Sequence, residues 1–160
     1  MGKFTMITAH SGCMNTAPNS MDSVMEAIKA GADIAEVDVR VTGDGVVVLA
    51  HDEWVHVREY GAVRVGDLTF DDLRKRHAGI VRLEDIFEIF KRYNKPVNLD
   101  LKDNAVVQPM ARAVRRAGMV DYVVLSGCDY HKAMYLRQNY EGFFVLLNAD
   151  EPFVRPGMSY

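Results

Sequence analysis

In the stretch Ile34-Ala35-Glu36-Val37-Asp38-Val39-Arg40, acidic and apolar residues alternate. Residues two apart on a strand project from the same face, so Glu36 and Asp38 point together. Side by side in water-poor surroundings two carboxylates repel, and one keeps a proton unless a cation stands between them. A strand-borne Glu-x-Asp pair is therefore a half-site for a hard divalent metal with oxygen ligands. The same alternation is also the ordinary pattern of a solvent-facing edge strand. A third carboxylate, Asp100, lies in Val97-Asn98-Leu99-Asp100-Leu101-Lys102, where Asn98, Asp100 and Lys102 share one strand face. His10 and His51 each close a β-rich run. Imidazole titrates near neutrality, so two of them can divide proton transfer, one taking a proton and the other giving one. Such a set suits phosphoryl chemistry. A Mg²⁺ or Ca²⁺ ion held by Glu36, Asp38 and Asp100 would polarise a phosphate oxygen. Lys102 would add a positive charge at the phosphate or hold the carboxylates in place.

Each of these residues also has a plainer reading. A strand-end histidine can be a hydrogen-bonded structural group, Asp100 and Lys102 can be a same-face ion pair, and Ser126 can cap the helix that follows it. His56, His77 and His131 fall in irregular or helical surface segments and receive no role. Cys13 and Cys128 have neither CxxC spacing nor zinc-type partners and are read as free thiols.

What must position the set is a regular alternation of strands and helices. Phe4 to Ala9 reads as a strand ending at His10, and Asn19 or Ser20 can cap a helix that carries Val24, Ala27 and Ile28 inward and stops at Gly31. Ile34 to Val41 is the next strand, Gly43-Asp44-Gly45 a tight turn, and Val46 to Ala50 a further extended segment delivering His51. Strand, helix and strand within this span are the mark of a βαβ unit. Residues 54–66 read as a loop or small excursion. Thr69 followed by Asp72 starts a short helix, and Leu83, Ile86, Phe87 and Phe90 recur at helical spacing up to Asn94. After the Val97–Lys102 strand come a helix closing at Gly118 with Pro109 in its first turn, a strand Tyr122–Ser126, a helix His131–Asn139 and a strand Phe143–Leu147. A parallel α/β sheet or barrel gathers the C-terminal ends of its strands on one side, which is where His10, His51, Asp100 and Ser126 fall.

Composition sets the outer bounds. The chain has 160 residues, 49% hydrophobic and 26% charged, enough for one domain with a substantial core. A net charge of −3 gives no broad basic surface, so electrostatic capture of nucleic acid or anionic membrane is not expected. No apolar run reaches the roughly 20 residues of a membrane span, and Met1-Gly2-Lys3-Phe4 has neither the apolar region nor the cleavage site of a secretory leader, so stable membrane insertion is not expected and a cytoplasmic setting is.

The motifs Ala9-His10-Ser11-Gly12, Pro18-Asn19-Ser20, Gly31-Ala32-Asp33, Glu36-Val37-Asp38-Val39-Arg40, Asp44-Gly45, His51-Asp52-Glu53, Leu68-Thr69 and Leu99-Asp100-Leu101-Lys102 stand in a telling order. In that order and approximate spacing the chain resembles the glycerophosphodiester phosphodiesterase family, closely from Phe4 to Asp103 and more weakly through Ser126. The resemblance implies a TIM-type (β/α) barrel that hydrolyses a small phosphodiester, such as a glycerophosphodiester, to an alcohol and glycerol 3-phosphate with a divalent metal. By position, the family's metal carboxylates match Glu36, Asp38 and Asp100, and its acid and base histidines match His10 and His51. Its substrate-side lysine matches Lys102, and the Asn of its Glu-Asn-Thr/Ser element matches Asn19.

Three departures stand out against that pattern: Ser11 where the family usually has Arg, Pro18 where it has Glu, and Asp100, one methylene shorter than the usual Glu. A TIM barrel also typically takes ~250 residues. The expectation is thus one phosphodiesterase-like domain over 1–160, incomplete at its C-terminal end, where Asn148 to Tyr160 carries Pro152 and Pro156. An incomplete barrel exposes a parallel edge with apolar flanks, which predicts a homo-oligomer or poor solubility. Two other functions fit the same residues: a non-catalytic binding or scaffold protein derived from this fold, and a related phosphodiesterase acting on a lipid or polymer.

Overall fold

The computed structural model describes residues 5–57 and 61–148. Phe4, residues 58–60 of the expected excursion and residues 149–160 of the proline-containing tail lie outside the described residues. In chain order the elements are β1 (Thr8–Ala9), α1 (Met21–Lys29), β2 (Ile34–Val41), β3 (Val47–Leu49), β4 (Trp54–Val57), β5 (Gly61–Arg64), α2 (Phe70–Arg76), α3 (Leu83–Tyr93), β6 (Val97–Leu101), α4 (Val107–Arg116), β7 (Val123–Ser126), α5 (Tyr130–Asn139) and β8 (Phe144–Val145).

Five of these strands run parallel in the order β1-β2-β6-β7-β8, and consecutive parallel strands are joined through helices. Among the described residues this is an open arc whose end strands are β1 and β8. Ile7 beside β1 and Phe144 on β8 are exposed. No helix of the described residues is long and apolar enough to cross a membrane.

Strand β2 is not the solvent-facing edge that its alternation also allowed. It pairs with β6 over Ala35 to Val39 on one side, and with β1 and then β3 along the other. Its outward residues Val37 and Val39 join Leu99, Leu101, Val123 and Leu125 in the main core, packed against Ile86, Phe87 and Phe90 of α3 and Met110 and Val114 of α4. Burying this apolar face drives the sheet and helices together, at roughly 1.5–3 kcal/mol for each large aliphatic or aromatic side chain removed from water.

The helix starts follow local chemistry. Ser20 caps α1 by accepting from Ser23 N, and Thr69 caps α2 by accepting from Asp72 N. Helix α3 ends where Asn94 turns left-handed at φ 50, a conformation Asn tolerates better than most residues. Ser126 does not cap the last helix. Asp129 does, accepting from Lys132 N, because Gly127 and Cys128 separate the strand end from the residue that precedes the helix.

The middle of the chain departs from the regular alternation in two places. Residues 54–57 and 61–64 are not loop but an antiparallel hairpin, β4–β5. The alternation there is short, and it becomes strand because Val55 and Val63 pack on a second apolar cluster of Val48, Val65, Phe70, Leu73 and Ile80. The extended segment before His51 is a strand, as its residues suggest, and its direction is set by the turn before it. Strand β3 folds back on β2 antiparallel, with Val41 opposite Val47 and Val39 opposite Leu49. The tight turn at Gly43-Asp44-Gly45 is too short for the crossover that a parallel neighbour needs.

Candidate active site

Strand register assembles the carboxylates. Pairing of β2 with β6 sets Glu36 beside Asn98 and Asp38 beside Asp100, and pairing of β6 with β7 sets Asp100 beside Ser126. Parallel neighbours in register point side chains the same way, so residues over sixty positions apart share one inner face. One oxygen each from Glu36, Asp38 and Asp100 lie within 4.8 Å of one another. Gly127 makes this arrangement possible on the β7 side. A Cβ at that position would fall 2.0 Å from Asp100 Oδ1, so no other residue fits against the carboxylate.

Buried partners order the set. Ser11 N donates to Glu36 Oε2 at 2.9 Å, and Ser11 Oγ accepts from Asn19 N at 2.6 Å. Asn19 grips Asp38 twice: its Nδ2 donates to Asp38 Oδ2 at 2.7 Å, and its Oδ1 accepts from Asp38 N at 2.9 Å. Asn19 does this from a left-handed backbone at φ 58. Lys102 reaches across the strands, with Nζ 2.8 Å from Asp38 Oδ1 and 3.1 Å from Asp100 Oδ2.

The two β2 carboxylates respond in opposite ways. Burial pushes the Glu36 carboxyl above its usual range, helped by Asp38 and resisted by the Ser11 amide. Burial pushes Asp38 the same way, but hydrogen bonds from Asn19 and Lys102 outweigh it and hold the carboxyl below its usual range. Lys102 is held above its ordinary value, because Asp38 and Asp100 more than offset its own partial burial.

These residues fit a divalent metal on the structure's own terms. Three carboxylates face one ammonium, an excess of negative charge that a hard dication with oxygen ligands balances. Beside Glu36 in the register, Asn98 Oδ1 is buried with no hydrogen-bond partner. A buried carbonyl oxygen left unpaired costs about 1–3 kcal/mol, and an ion or its bound water would remove that cost.

Both histidines stand at this inner face, reached by different routes. His10 follows β1, whose register puts Ala9 opposite Ala35, and its Nε2 is 3.8 Å from Glu36 Oε2. His51 is returned to the level of Asp38 by the β2–β3 hairpin, since Ala50 N donates to Asp38 O at 3.0 Å. The Nδ1 of His10 lies 2.9 Å from Ser11 O, and the Nδ1 of His51 lies 2.8 Å from Asp52 Oδ1. A carbonyl or a carboxylate only accepts, so in each ring Nδ1 is the donor in that contact and Nε2 is the nitrogen left for proton transfer. Arg40 braces the His51 segment: Nε donates to His51 O at 2.9 Å, and Nη1 to Asp103 Oδ2 at 3.3 Å.

All seven residues singled out in the sequence therefore meet in one region: His10, Asn19, Glu36, Asp38, His51, Asp100 and Lys102. Lys102 pairs with two of the carboxylates, Asp38 and Asp100. Sequence reading missed Ser11, Arg40, Asp52 and Gly127 as parts of the site. Asp52 was detectable by its adjacency to His51, whereas Ser11, Arg40 and Gly127 act through contacts with segments distant in the chain that no residue type announces.

Comparison with known proteins agrees with this geometry. The family model described as the glycerophosphoryl diester phosphodiesterase family matches residues 10–137. A glycerophosphodiester phosphodiesterase of Caldanaerobacter subterraneus subsp. tengcongensis is 28% identical over 144 residues, covering 79% of this chain and 59% of that protein. Glycerophosphodiester phosphodiesterase 1 of Rattus norvegicus is 43% identical over 68 residues, 42% of this chain and 20% of that one. Among solved structures, a glycerophosphodiester phosphodiesterase from Agrobacterium tumefaciens superposes with TM-score 0.76 at 24% identity, covering 92% of this chain and 68% of that one. An Oleispira antarctica phosphodiesterase in complex with the product sn-glycerol-3-phosphate gives TM-score 0.75 at 19% identity, covering 88% and 64%. The chain belongs to the glycerophosphoryl diester phosphodiesterase family, and its arc of parallel strands is part of that family's TIM-type barrel fold. It spans roughly three fifths of the length of the bacterial relative, at 59%.

Proposed function

We propose that the chain, as a single phosphodiesterase-like domain, hydrolyses glycerophosphodiesters to an alcohol and glycerol 3-phosphate. The observation that carries this reading is the convergence of three carboxylate oxygens within 4.8 Å beside two histidines whose Nδ1 atoms are engaged by Ser11 O and Asp52 Oδ1. Family membership supports the reaction class, and the Oleispira antarctica neighbour's bound product supports glycerol 3-phosphate as one product.

Glu36, Asp38 and Asp100 would hold the metal, Mg²⁺ or Ca²⁺, which when bound polarises the phosphate and offsets the charge that builds on it. Asn19 keeps Asp38 ionised and aimed, and thereby supports the substrate end of the site. Lys102 holds Asp38 and Asp100 together and stands ready as a cation toward the phosphate. His10 and His51 perform the proton work: one Nε2 takes the proton from the attacking oxygen while the other, protonated, gives one to the leaving alcohol oxygen. Asp52 and the Ser11 carbonyl hold the two rings in the tautomer that exposes Nε2. With Ser11 in place of the family's Arg, Lys102 would be the side-chain cation nearest the carboxylates to meet phosphate charge.

The test is release of glycerol 3-phosphate from glycerophosphocholine with added Mg²⁺ or Ca²⁺, repeated with chelator and with His10→Ala and His51→Ala. Activity should require the metal and fall roughly 10²- to 10⁴-fold in each variant, with the far-ultraviolet circular dichroism unchanged. Parental rates in both variants would refute the assignment. A second reading, a binding module without turnover, draws on Lys102, whose ammonium already neutralises part of the carboxylate cluster. Saturable metal binding with no hydrolysis would select it.

A further inference from the structure

The parallel pairing of β6 with β7 ends at Asp100 and Ser126. Past that point a side chain ties the two segments together. Lys132 Nζ donates to Leu101 O at 3.1 Å and to Gly127 O at 2.9 Å, one carbonyl from each. The Gly127 turn is pressed on β6 at the foot of Asp100: a Cβ on Gly127 would fall 2.0 Å from Asp100 Oδ1 and 2.9 Å from Leu101 N. Asn148 fastens the far side of this turn, its Oδ1 accepting from Gly127 N at 3.2 Å and its N donating to Cys128 O at 2.9 Å. Lys132 supplies the fastening on the β6 side.

A lysine on a helix is ordinarily a solvated charge, and this one is not. Lys132 is half-buried. It stands in the first turn of α5, where the helix dipole favours an anion and disfavours a cation. Its ammonium is spent on main-chain carbonyls outside its own helix, in charge-assisted bonds stronger than those between neutral groups. Its place is therefore set by the two carbonyls and not by the helix that carries it. Asp100 depends on the result. An aspartate side chain is short, so its carboxylate follows the strand backbone, and here it has Lys102 Nζ at 3.1 Å and the Gly127 backbone as neighbours. With the turn lifted off β6, the carboxylate would be free to swing toward β7, away from Lys102 and from the oxygens of Glu36 and Asp38.

We infer that Lys132 is a positioning residue for Asp100: its ammonium clamps the Gly127 turn onto β6 and so fixes the third carboxylate of the cluster. This rests on the reading of Glu36, Asp38 and Asp100 as the metal-holding set, and it names a residue outside that set which fixes its geometry. The consequence is selectivity. Mg²⁺ demands near-ideal octahedral geometry, whereas Ca²⁺ accepts irregular and variable coordination. A loosened Asp100 therefore harms Mg²⁺ binding more than Ca²⁺ binding.

Titration calorimetry with Mg²⁺ and with Ca²⁺ tests this on the parent, Lys132→Met and Lys132→Arg. Lys132→Met should bind Mg²⁺ about tenfold more weakly, the lower end of what loss of a supporting contact behind a metal ligand costs, with a smaller loss for Ca²⁺. Lys132→Arg keeps donors for both carbonyls and should hold the parental ratio of the two affinities. If Lys132→Met does not fold, Lys132→Gln takes its place. A second measurement needs no metal: the crystal structure of the metal-free variant should show the Gly127 turn off β6 and the 3.1 Å contact of Lys102 with Asp100 broken. Parental affinity for both ions, an equal loss for both, or an Asp100 that keeps its place would overturn the inference. A parent that binds neither ion, with Asp100 displaced in the variant, would reject the metal reading and keep Lys132 as the clamp; a parent that binds both, with Asp100 unmoved in the variant, would do the reverse.

Discussion

Strands β2 and β6 carry two opposite environments on one backbone. Toward the helices, Val37, Val39, Leu99 and Leu101 are buried in a continuous apolar core. Toward the inside of the arc, Glu36, Asp38 and Asn98 are nearly as buried, yet they hold charge, unsatisfied oxygen and opposed pKa shifts. The outer face lowers the free energy of the fold, and the inner face spends part of that stability to keep carboxylates close together out of water. Equal burial thus means opposite things on the two faces.

Substitutions on each face should separate these roles. The largest effect is expected from Glu36→Gln. Activity should fall roughly 10²- to 10⁴-fold, the several kcal/mol a metal contributes to the transition state, and calorimetry should show the metal affinity lowered with it. The metal-free variant should unfold at higher urea than the parent at pH 7, because the raised Glu36 pKa means its charged form is costly when folded. A metal-free variant less stable than the parent would break the contrast between the faces.

The outer face should respond the other way. Leu99→Ala should cost about 2–5 kcal/mol in urea unfolding, with metal affinity per folded molecule little changed. Loss of metal binding in the variant that remains folded would mean that the faces are not independent.

The pH dependence sharpens the comparison within the inner face. Asp38 has a depressed pKa, so its stabilising contribution is present above the usual carboxylate range and disappears as pH falls through its folded value. Glu36, with a raised pKa, carries its cost above that raised value and loses it on acidification. In chelator, Asp38→Asn should therefore be less stable than the parent at pH 7 and Glu36→Gln more stable. Urea midpoints of all three should draw together as the pH falls through the folded pKa of Asp38. The smallest effect belongs to neither face: Thr69→Ala should cost about 1 kcal/mol through the lost cap of α2 and leave hydrolysis unaltered.

Much of this was legible in the residues. Period-two alternation marked β2 at its observed bounds, helical spacing marked α3, and side-chain capping chemistry marked the starts of α1 and α2. The hairpin β4–β5 was not legible, because its strands owe their form to contact with Phe70, Leu73 and their neighbours far along the chain. The cap of α5 was misplaced at Ser126, since both Ser126 and Asp129 are capping residue types and only the course of the chain through Gly127 and Cys128 selects Asp129.

By itself the sequence determined which side chains share a strand face, because a two-residue repeat is a local property of extended backbone. It therefore settled that Glu36 goes with Asp38 and that Asp100 goes with Lys102. Tertiary structure decided that these two pairs face each other, through the register that sets Asp38 beside Asp100. It also decided that His51 returns beside Asp38 down an antiparallel strand, and that Ser11, Arg40 and Gly127 hold the site together. Those are contacts between segments distant in the chain, and register depends on the burial of the whole outer face rather than on any single stretch.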